Sequence, residues 1–288
     1  MSKVAIVTDS TAYLPKDLVK KYEITVLPLI VIWGDESLQD NVDISPDAFY
    51  ERLQNTKNMP STSQVTVQSF ADAFLKLHEQ GYEILTITIS SALSGTIDSA
   101  IQAKKMQPDA TIELIDSQFT SLPLAYMALS AARAAQKGAS LADCRQIVEN
   151  IRDHTEVFFA VDTLEFLHRG GRIGGASRFL GTALNLKPIL QIQQGKVEAL
   201  ERVRTSKKAQ DRLIDLVESN IDGQKPLNMI GVASAKAAES ALDLLNQIKS
   251  QFDPDEVLVA DLSPVLGTHV GPGTVGVAYC AGVDLERK

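Results

Sequence analysis

Hydroxyl-bearing side chains cluster at four places in the first half of the sequence, at residues 8–11, 60–64, 90–96 and 116–117. Each cluster taken singly is explained as a helix N-cap, because Ser, Thr and Asp side chains accept hydrogen bonds from the free amides of a helix start. The four clusters together contain more hydroxyl side chains than capping requires, since a cap usually uses one residue per helix. They therefore predict a binding site for a ligand that accepts hydrogen bonds.

The segment Ser94-Gly95-Thr96 is the strongest candidate for an anion site. Its glycine lets a ligand approach the backbone, and the helix predicted after it directs its positive end toward an anion. None of the four clusters contains Lys or Arg, and the sequence has no Gly-x-x-x-x-Gly-Lys-Ser/Thr loop for a nucleotide. Neutral hydroxyls beside a helix terminus suit a single negative charge, so they favour a carboxylate over a nucleotide.

A serine hydrolase or acyltransferase is the enzymatic alternative. Ser94 would be the nucleophile, His269 the base and Asp9 the third member of a triad. The Gly-x-Ser-x-Gly elbow of the α/β-hydrolases is absent from the sequence, which disfavours this alternative. His269 falls in a Gly/Pro-rich segment predicted to be a loop, where a structural or surface role is favoured over hydrogen bonding to an anion, and that in turn over a general base.

Residues 271–276 match the Gly-x-Gly-x-x-Gly pattern of dinucleotide sites letter for letter. Such a site needs a crossover helix and an acidic residue about 20 positions further on, and the sequence ends at Lys288. We therefore reject dinucleotide binding. No spacing of His, Cys, Asp or Glu predicts a metal site, and we expect no cofactor.

A basic stretch lies between residues 169 and 212, where ten Lys or Arg accompany three Asp or Glu although the whole chain carries a formal charge of −8. Phe179 is the only aromatic residue of that stretch, so the stacking platforms of nucleic-acid-binding surfaces are missing. The stretch is a solvated face, an RNA or phosphate contact, or a docking surface for an acidic partner. We expect a protein partner rather than nucleic acid.

The composition is that of a globular α/β protein. Its 288 residues are 44% hydrophobic and 22% charged, and the two cysteines lie far apart in the sequence. The longest apolar run is well below the roughly 18 residues needed to span a bilayer. The sequence therefore predicts a cytoplasmic protein with no integral membrane segment and no disulfide.

Short apolar runs alternate with helical patterns in the first half, which predicts a parallel sheet with helices on both faces. The strands are predicted over residues 4–7, 24–32, 84–89 and 112–115, and the helices over 47–53, 67–80 and 122–137.

The second half has a different organisation. Two runs at 189–193 and 197–203 flank Gly195 and predict a hairpin, which makes neighbouring strands antiparallel. Further strands are predicted over 157–161, 229–233, 257–261 and 275–281, with helices over 207–219 and 237–250. The predicted architecture is a parallel-sheet α/β/α domain over residues 1–155 and an α/β domain with a mainly antiparallel sheet over 156–288.

The sequence resembles the DegV family of bacterial fatty-acid-binding proteins. Six segments carry the resemblance in their order and spacing, at residues 7–11, 60–64, 90–96, 167–173, 186–190 and 267–273. The resemblance covers nearly the whole chain, and Val65 stands where relatives commonly have proline. It implies a two-domain α/β protein that holds one long-chain fatty acid between its domains, with the tail in an apolar tunnel.

The resemblance also implies roles for individual residues. Thr62 and Ser94 would hydrogen-bond the carboxylate of the fatty acid, with His269 close to the same head group. The protein would lack catalytic activity and would present the bound acid to a separate ATP-dependent fatty-acid kinase, which makes acyl phosphate for phospholipid synthesis. Arg202 and Arg204 would lie in the surface that docks the kinase.

Four more residues are candidates for head-group or partner contacts, namely Ser10, Ser63, Arg169 and Arg172. Residues that line the tail leave no periodic mark in a sequence, because they resemble ordinary core. The sequence consequently predicts the head-group site but not the tunnel wall.

Overall fold

Apolar runs bounded by capping residues fold the chain into three hydrogen-bonded sheets with helices packed on them. The computed structural model describes residues 3–56, 58–181, 186–221 and 223–284. The strands are β1 (Lys3–Asp9), β2 (Thr25–Leu27), β3 (Ile30–Trp33), β4 (Glu36–Gln39), β5 (Ser61–Ser63), β6 (Tyr82–Thr88), β7 (Ile112–Asp116), β8 (Thr155–Ala160), β9 (Lys187–Gln193), β10 (Lys196–Val203), β11 (Leu227–Ser234), β12 (Val257–Asp261) and β13 (Val275–Ala281).

The helices begin and end largely where the sequence places capping residues. They are α1 (Lys16–Lys21), α2 (Pro46–Gln54), α3 (Val67–Glu79), α4 (Thr96–Lys105), α5 (Ser121–Gln136), α6 (Leu141–Asp153), α7 (Glu165–Arg169), α8 (Ser206–Ile221), α9 (Ala238–Gln251) and α10 (Pro264–Val270), with 3₁₀ helices over Ser10–Ala12 and Gly174–Phe179. Ser45 caps α2 as predicted, because its side chain accepts from the amide of Ala48. No helix among the described residues is long and apolar enough to cross a membrane.

The predicted parallel sheet is confirmed. Its strands lie in the order β2-β1-β6-β7, and every neighbouring pair is parallel. The carboxyl ends of these strands therefore lie at one edge of the sheet. That edge carries the hydroxyl clusters after β1, β6 and β7, as the rule for ligand sites in parallel sheets requires.

The mainly antiparallel second sheet is also confirmed. Its order is β10-β9-β8-β13-β11-β12, and only the pair of β11 and β12 is parallel. The predicted hairpin turns at Gln194 and Gly195, whose φ angles of 49° and 78° are both left-handed. Two such residues form the turn whose twist matches that of antiparallel strands, and glycine adopts this conformation at little cost.

The single strand predicted over residues 24–32 is wrong. Two strands in different sheets occupy this run, β2 beside β1 and β3 between β4 and β5. Pro28 lies between them and has no amide hydrogen to continue a ladder. The third sheet was not predicted, and it contains Thr62, which pairs with Val31 across β3 and β5.

The loop predicted around His269 is also wrong, since this residue lies in the last turn of α10. The side chain of Ser263 accepts from the amide of Leu266, and Pro264 occupies the first helical position. Both are favourable at a helix start. The helix ends at Gly271, whose φ is 74°.

The helix α5 joins the two large sheets. Every residue from Ser121 to Ala132 is buried, and α5 contacts β1 and β6 on one side and β8, β11, β12 and β13 on the other. A helix that is apolar on all sides must be buried on all sides. One hydrophobic core consequently extends from Val4 in the first sheet to Ala278 in the second.

Candidate functional site

A cavity lies between the N-terminal end of α5, α10, β5 and the six-stranded sheet. Its empty volume, with the open space at its mouth included, is about 1170 Å³. Most of its wall is apolar. The apolar lining residues are Leu29, Ile89, Leu93, Leu122, Pro123, Val157, Phe159, Leu167, Ile192, Val197, Ala233, Leu262, Val265, Leu266, Val270, Val277 and Ala278.

Polar side chains meet at one region of this wall. Thr62 on β5 and His269 on α10 are joined by a 2.8 Å hydrogen bond between Oγ1 and Nε2. Gly170, at the end of α7, lies against the other side of the imidazole, because a Cβ atom built on it would be 2.2 Å from Nδ1 of His269. The imidazole is thus held between the Thr62 hydroxyl and the backbone of Gly170. The backbone comes this close because glycine has no Cβ.

Ser94 belongs to the same lining but does not cap a helix. The N-cap of α4 is Gly95, and no side chain accepts from the first turn of that helix. The hydroxyl of Ser94 lies 2.9 Å from that of Thr96. The simple capping explanation therefore fails for Ser94, whose hydroxyl remains available to a ligand beside an uncapped helix N-terminus.

His269 is electrically neutral near pH 7. Burial lowers its pKa from 6.5 to about 4, and the nearby positive charge of Arg172 acts in the same direction. Its Nδ1 is buried without a hydrogen-bond partner among the described residues. If the proton of the neutral ring is on Nε2, the ring donates to Thr62 and leaves the threonine hydroxyl free to donate to a ligand. That arrangement suits a carboxylate, which only accepts hydrogen bonds when ionised.

Arg172 brings a positive charge to the cavity wall. Its Nε donates to the carbonyl of Leu93 at 3.0 Å and its Nη1 to the carbonyl of Gly170 at 2.8 Å. Those bonds tie the loop before Ser94 to the loop beside His269. Arg169 does not share this position, because it pairs with Glu165 at 2.7 Å on an exposed face.

Of the two remaining serine candidates, Ser63 lines the cavity and Ser10 does not. The hydroxyl of Ser10 donates to Asp40 at 2.6 Å and accepts from the amide of Leu29 at 3.1 Å. Ser10 is buried by these contacts. These bonds give Ser10 a structural role outside the fatty-acid cavity, and a head-group or partner contact at Ser10 stays a prediction.

The triad of the hydrolase alternative is not assembled. The carboxylate of Asp9 is buried and accepts from Thr11 and from the amide of Ile89. The Ser94 hydroxyl lies within hydrogen-bond distance of the Thr96 hydroxyl, and the His269 ring bonds to Thr62. Neither the contact between nucleophile and base nor the contact between base and acid is present.

Several cations of the basic stretch form ion pairs. Ion pairs of Lys187 with Asp162, Lys207 with Asp211 and Arg212 with Glu201 neutralise part of it.

Two arginines of this stretch remain at the surface. The Arg202 guanidinium lies 4.6 Å from the centre of the Phe179 ring, and Arg204 follows β10 in an exposed position.

Sequence reasoning missed several polar residues of the cavity. Gln64 packs its side-chain amide against Gly95. Thr120 and Ser121, at the start of α5, have buried hydroxyl oxygens without hydrogen-bond partners among the described residues. Gln64 lies within one of the hydroxyl clusters and Gly170 within a glycine-rich segment, so their positions carried a signal, whereas the apolar wall carried none. Within the described ranges, no group of three or more His, Cys, Asp or Glu is placed to hold a metal ion.

Similarity to known proteins extends over nearly the whole chain. The model of the DegV family matches residues 3–282. A DegV domain-containing protein of Clostridium perfringens is 38% identical over 280 residues, which cover 96% of this chain and 98% of that protein.

Two solved structures share the fold. One is the fatty-acid-binding structure of a DegV family protein from Thermus thermophilus, which superposes with a TM-score of 0.92 at 34% sequence identity. The superposition covers 97% of this chain and 99% of the Thermus chain. The other is a stearic acid-binding protein from Eubacterium ventriosum, which superposes with a TM-score of 0.90 at 28% sequence identity. This superposition covers 98% of this chain and 99% of the Eubacterium chain.

Proposed function

The chain belongs to the DegV family, and from that premise we propose that it binds one long-chain fatty acid in the cavity between its two large sheets. The carboxylate is held by the hydroxyls of Thr62 and Ser94, and His269 orients the first of them. The tail lies along the apolar wall. The observation that carries the proposal is the joining of a small hydroxyl–imidazole site to a large apolar cavity.

The polar region suits the carboxylate of such a ligand. A carboxylate accepts hydrogen bonds at both oxygens, and the hydroxyls of Thr62 and Ser94 are donors with freely rotating protons. The N-terminus of α4 and the guanidinium of Arg172 add positive potential without a direct ion pair. Neutral hydrogen-bond donors in a half-buried site stabilise a ligand with one negative charge better than a ligand with two.

The apolar wall suits a long tail. Burial of each methylene group contributes roughly 0.8 kcal/mol, so sixteen carbons contribute on the order of 10 kcal/mol before the losses of association are subtracted. The tail therefore supplies most of the affinity, while the polar residues select the head group.

The proposal includes presentation of the bound acid to a separate ATP-dependent fatty-acid kinase, for acyl-phosphate formation in phospholipid synthesis. The protein acts as a carrier in the cytoplasm and has no catalytic activity of its own. Support comes from the unassembled triad and from the exposed cations Arg202 and Arg204, which suit an acidic docking surface.

The test is a comparison of three ligands on delipidated protein, namely oleic acid, its methyl ester and oleyl alcohol. All three have the same tail, so only head-group recognition separates them. We expect the acid to bind most tightly, since the ester lacks the charge that strengthens each hydrogen bond.

Equal affinity for the acid and the methyl ester would contradict carboxylate recognition. Failure of all three ligands to bind would contradict the cavity as a lipid site.

A further inference from the structure

A second pocket lies on the opposite face of the six-stranded sheet. The fatty-acid cavity is lined by Phe159 and Gly276, whereas the second pocket is lined by their strand neighbours Ala160 and Val275. Successive residues of a strand point to opposite faces. A ligand in the second pocket would therefore not compete for space with one in the cavity.

Two helices begin at this pocket. Residues 206, 209 and 210 of α8 and residues 238–240 of α9 line it. The start of α8 is capped, because Thr205 accepts from the amide of Lys208. The start of α9 is not, since its N-cap is Ala237 and no side chain bonds its first turn. The first-turn amides of α9 consequently offer donors and a positive partial charge to the pocket.

A buried amide side chain in the same pocket has an unpaired atom. Gln210 is only 5% exposed, and its Oε1 has no hydrogen-bond partner among the described residues. A buried polar atom without a partner is destabilising unless a ligand or water supplies one. The amide oxygen and nitrogen exchange places by rotation about the terminal bond, so Gln210 is able to present a donor to a bound anion.

The pocket contains two lysines, and Lys236 is the one without an ion-pair partner among the residues that the structure describes. Lys187 is neutralised by Asp162 at 2.6 Å. Lys236 is exposed, has a left-handed φ of 52° and immediately precedes the N-cap of α9. Glu239, in the first turn of α9, is the remaining acid. The side chains sum to no net charge, so the attraction for an anion comes from the helix terminus and the local position of Lys236.

We propose that this pocket binds a phosphate group, through the first-turn amides of α9, the ammonium of Lys236, the hydroxyl of Ser240 and the amide of Gln210. Backbone amides, an ammonium, a hydroxyl and an amide nitrogen are all hydrogen-bond donors, and a phosphate group offers three strong acceptor oxygens where a carboxylate offers two. The source is either inorganic phosphate or a phosphate monoester, because both present the same oxygens.

The test titrates the full chain with inorganic phosphate at constant ionic strength and follows the backbone amide resonances of residues 238–240. Saturable shifts are expected there. Lys236→Asn should weaken binding roughly tenfold, as expected for loss of one charge-assisted bond, and asparagine tolerates the left-handed backbone. Gln210→Leu should also weaken binding, and Glu239→Gln should strengthen it. Lys249→Asn, at the far end of α9, is the matched control and should have no effect.

A parallel titration with phenyl phosphate distinguishes the sources. Tighter binding of the monoester identifies a phosphorylated compound as the ligand, and tighter binding of inorganic phosphate identifies the free ion. Shifts that never saturate with either probe would overturn the proposal. So would saturable binding that neither Lys236→Asn nor Glu239→Gln alters, since these surface substitutions leave the core intact.

Discussion

Oγ1 of Thr62 and Nε2 of His269 lie 2.8 Å apart, although 207 positions separate the two residues in the sequence. The bond joins a strand of the small third sheet to the last turn of α10. When the proton of the neutral imidazole is on Nε2, the ring donates to the threonine oxygen and the hydroxyl proton is directed to another acceptor. Carboxylate recognition in the proposed function depends on that direction.

Removal of the two hydroxyls should weaken fatty-acid binding without unfolding the protein. A hydrogen bond to a charged group contributes about 1.5–3 kcal/mol, so Thr62→Val combined with Ser94→Ala should lower the affinity for oleic acid by at least roughly a hundredfold. Ser61→Ala is the matched control, since Ser61 lies on the same strand but outside the cavity lining. Calorimetric titration measures the change, and unchanged affinity in a folded double variant would remove both residues from the site.

A methyl group at position 170 should act through His269. The backbone of Gly170 has a helical φ of −74°, so Gly170→Ala causes no backbone strain. Its new Cβ would nevertheless lie 2.2 Å from Nδ1 of His269 and displace the ring from Thr62. We expect weaker oleate binding in Gly170→Ala and little further loss when the same change is made in His269→Ala. Additive losses in this double-mutant cycle would show that residue 170 acts by another route.

The buried carboxyl of Asp40 should make stability depend on pH. Burial raises its pKa from 3.8 to about 7, although Ser10, Val265 and Ser263 hydrogen-bond it. The folded state then holds a proton that the unfolded state releases. The resulting stabilisation is complete below the ordinary pKa and is lost as the pH rises through about 7.

Asp40→Asn tests this dependence. From pH 6 to pH 8 the wild type should lose about 1 kcal/mol of unfolding free energy that the variant retains. The titration of His269 is common to both proteins, so the difference between the two curves reports Asp40 together with its coupling to Asp9. Urea denaturation at a series of pH values measures it, and parallel curves would contradict the raised pKa.

Charge reversal at the proposed docking surface should separate binding from presentation. Arg202→Glu with Arg204→Glu should leave oleate affinity unchanged, because neither residue lines the cavity. The same variant should lose acyl-phosphate formation with a fatty-acid kinase and ATP, since repulsion would oppose an acidic partner surface. Lys208→Glu, an exposed charge on α8, is the control. Full phosphorylation of oleate with the double variant would exclude this surface as the docking site.

The sequence predicted the large sheets well, because buried parallel strands and a glycine hairpin leave strong local patterns. It failed over residues 24–32, where a continuous apolar run conceals the break at Pro28 and the assignment of β3 to another sheet. It also failed at His269, since the Gly/Pro-rich composition masked a short helix started by Ser263 and Pro264.

The candidate site was predicted only in part for a similar reason. Hydroxyl clusters are visible as local composition, and they include Thr62 and Ser94. The pairing of Thr62 with His269, the contact of Gly170 with the imidazole and the apolar wall all depend on tertiary packing, and no periodic pattern records them. Ser10 also belongs to a hydroxyl cluster, but its hydroxyl donates a buried hydrogen bond to Asp40 and does not line the cavity.

Mass spectrometry of the protein purified from bacteria, in the native state and again after organic extraction, tests fatty-acid binding most directly. We predict one long-chain fatty acid per chain in the native spectrum and its release on extraction. Protein that carries no lipid and also takes up no added fatty acid would contradict the proposed function.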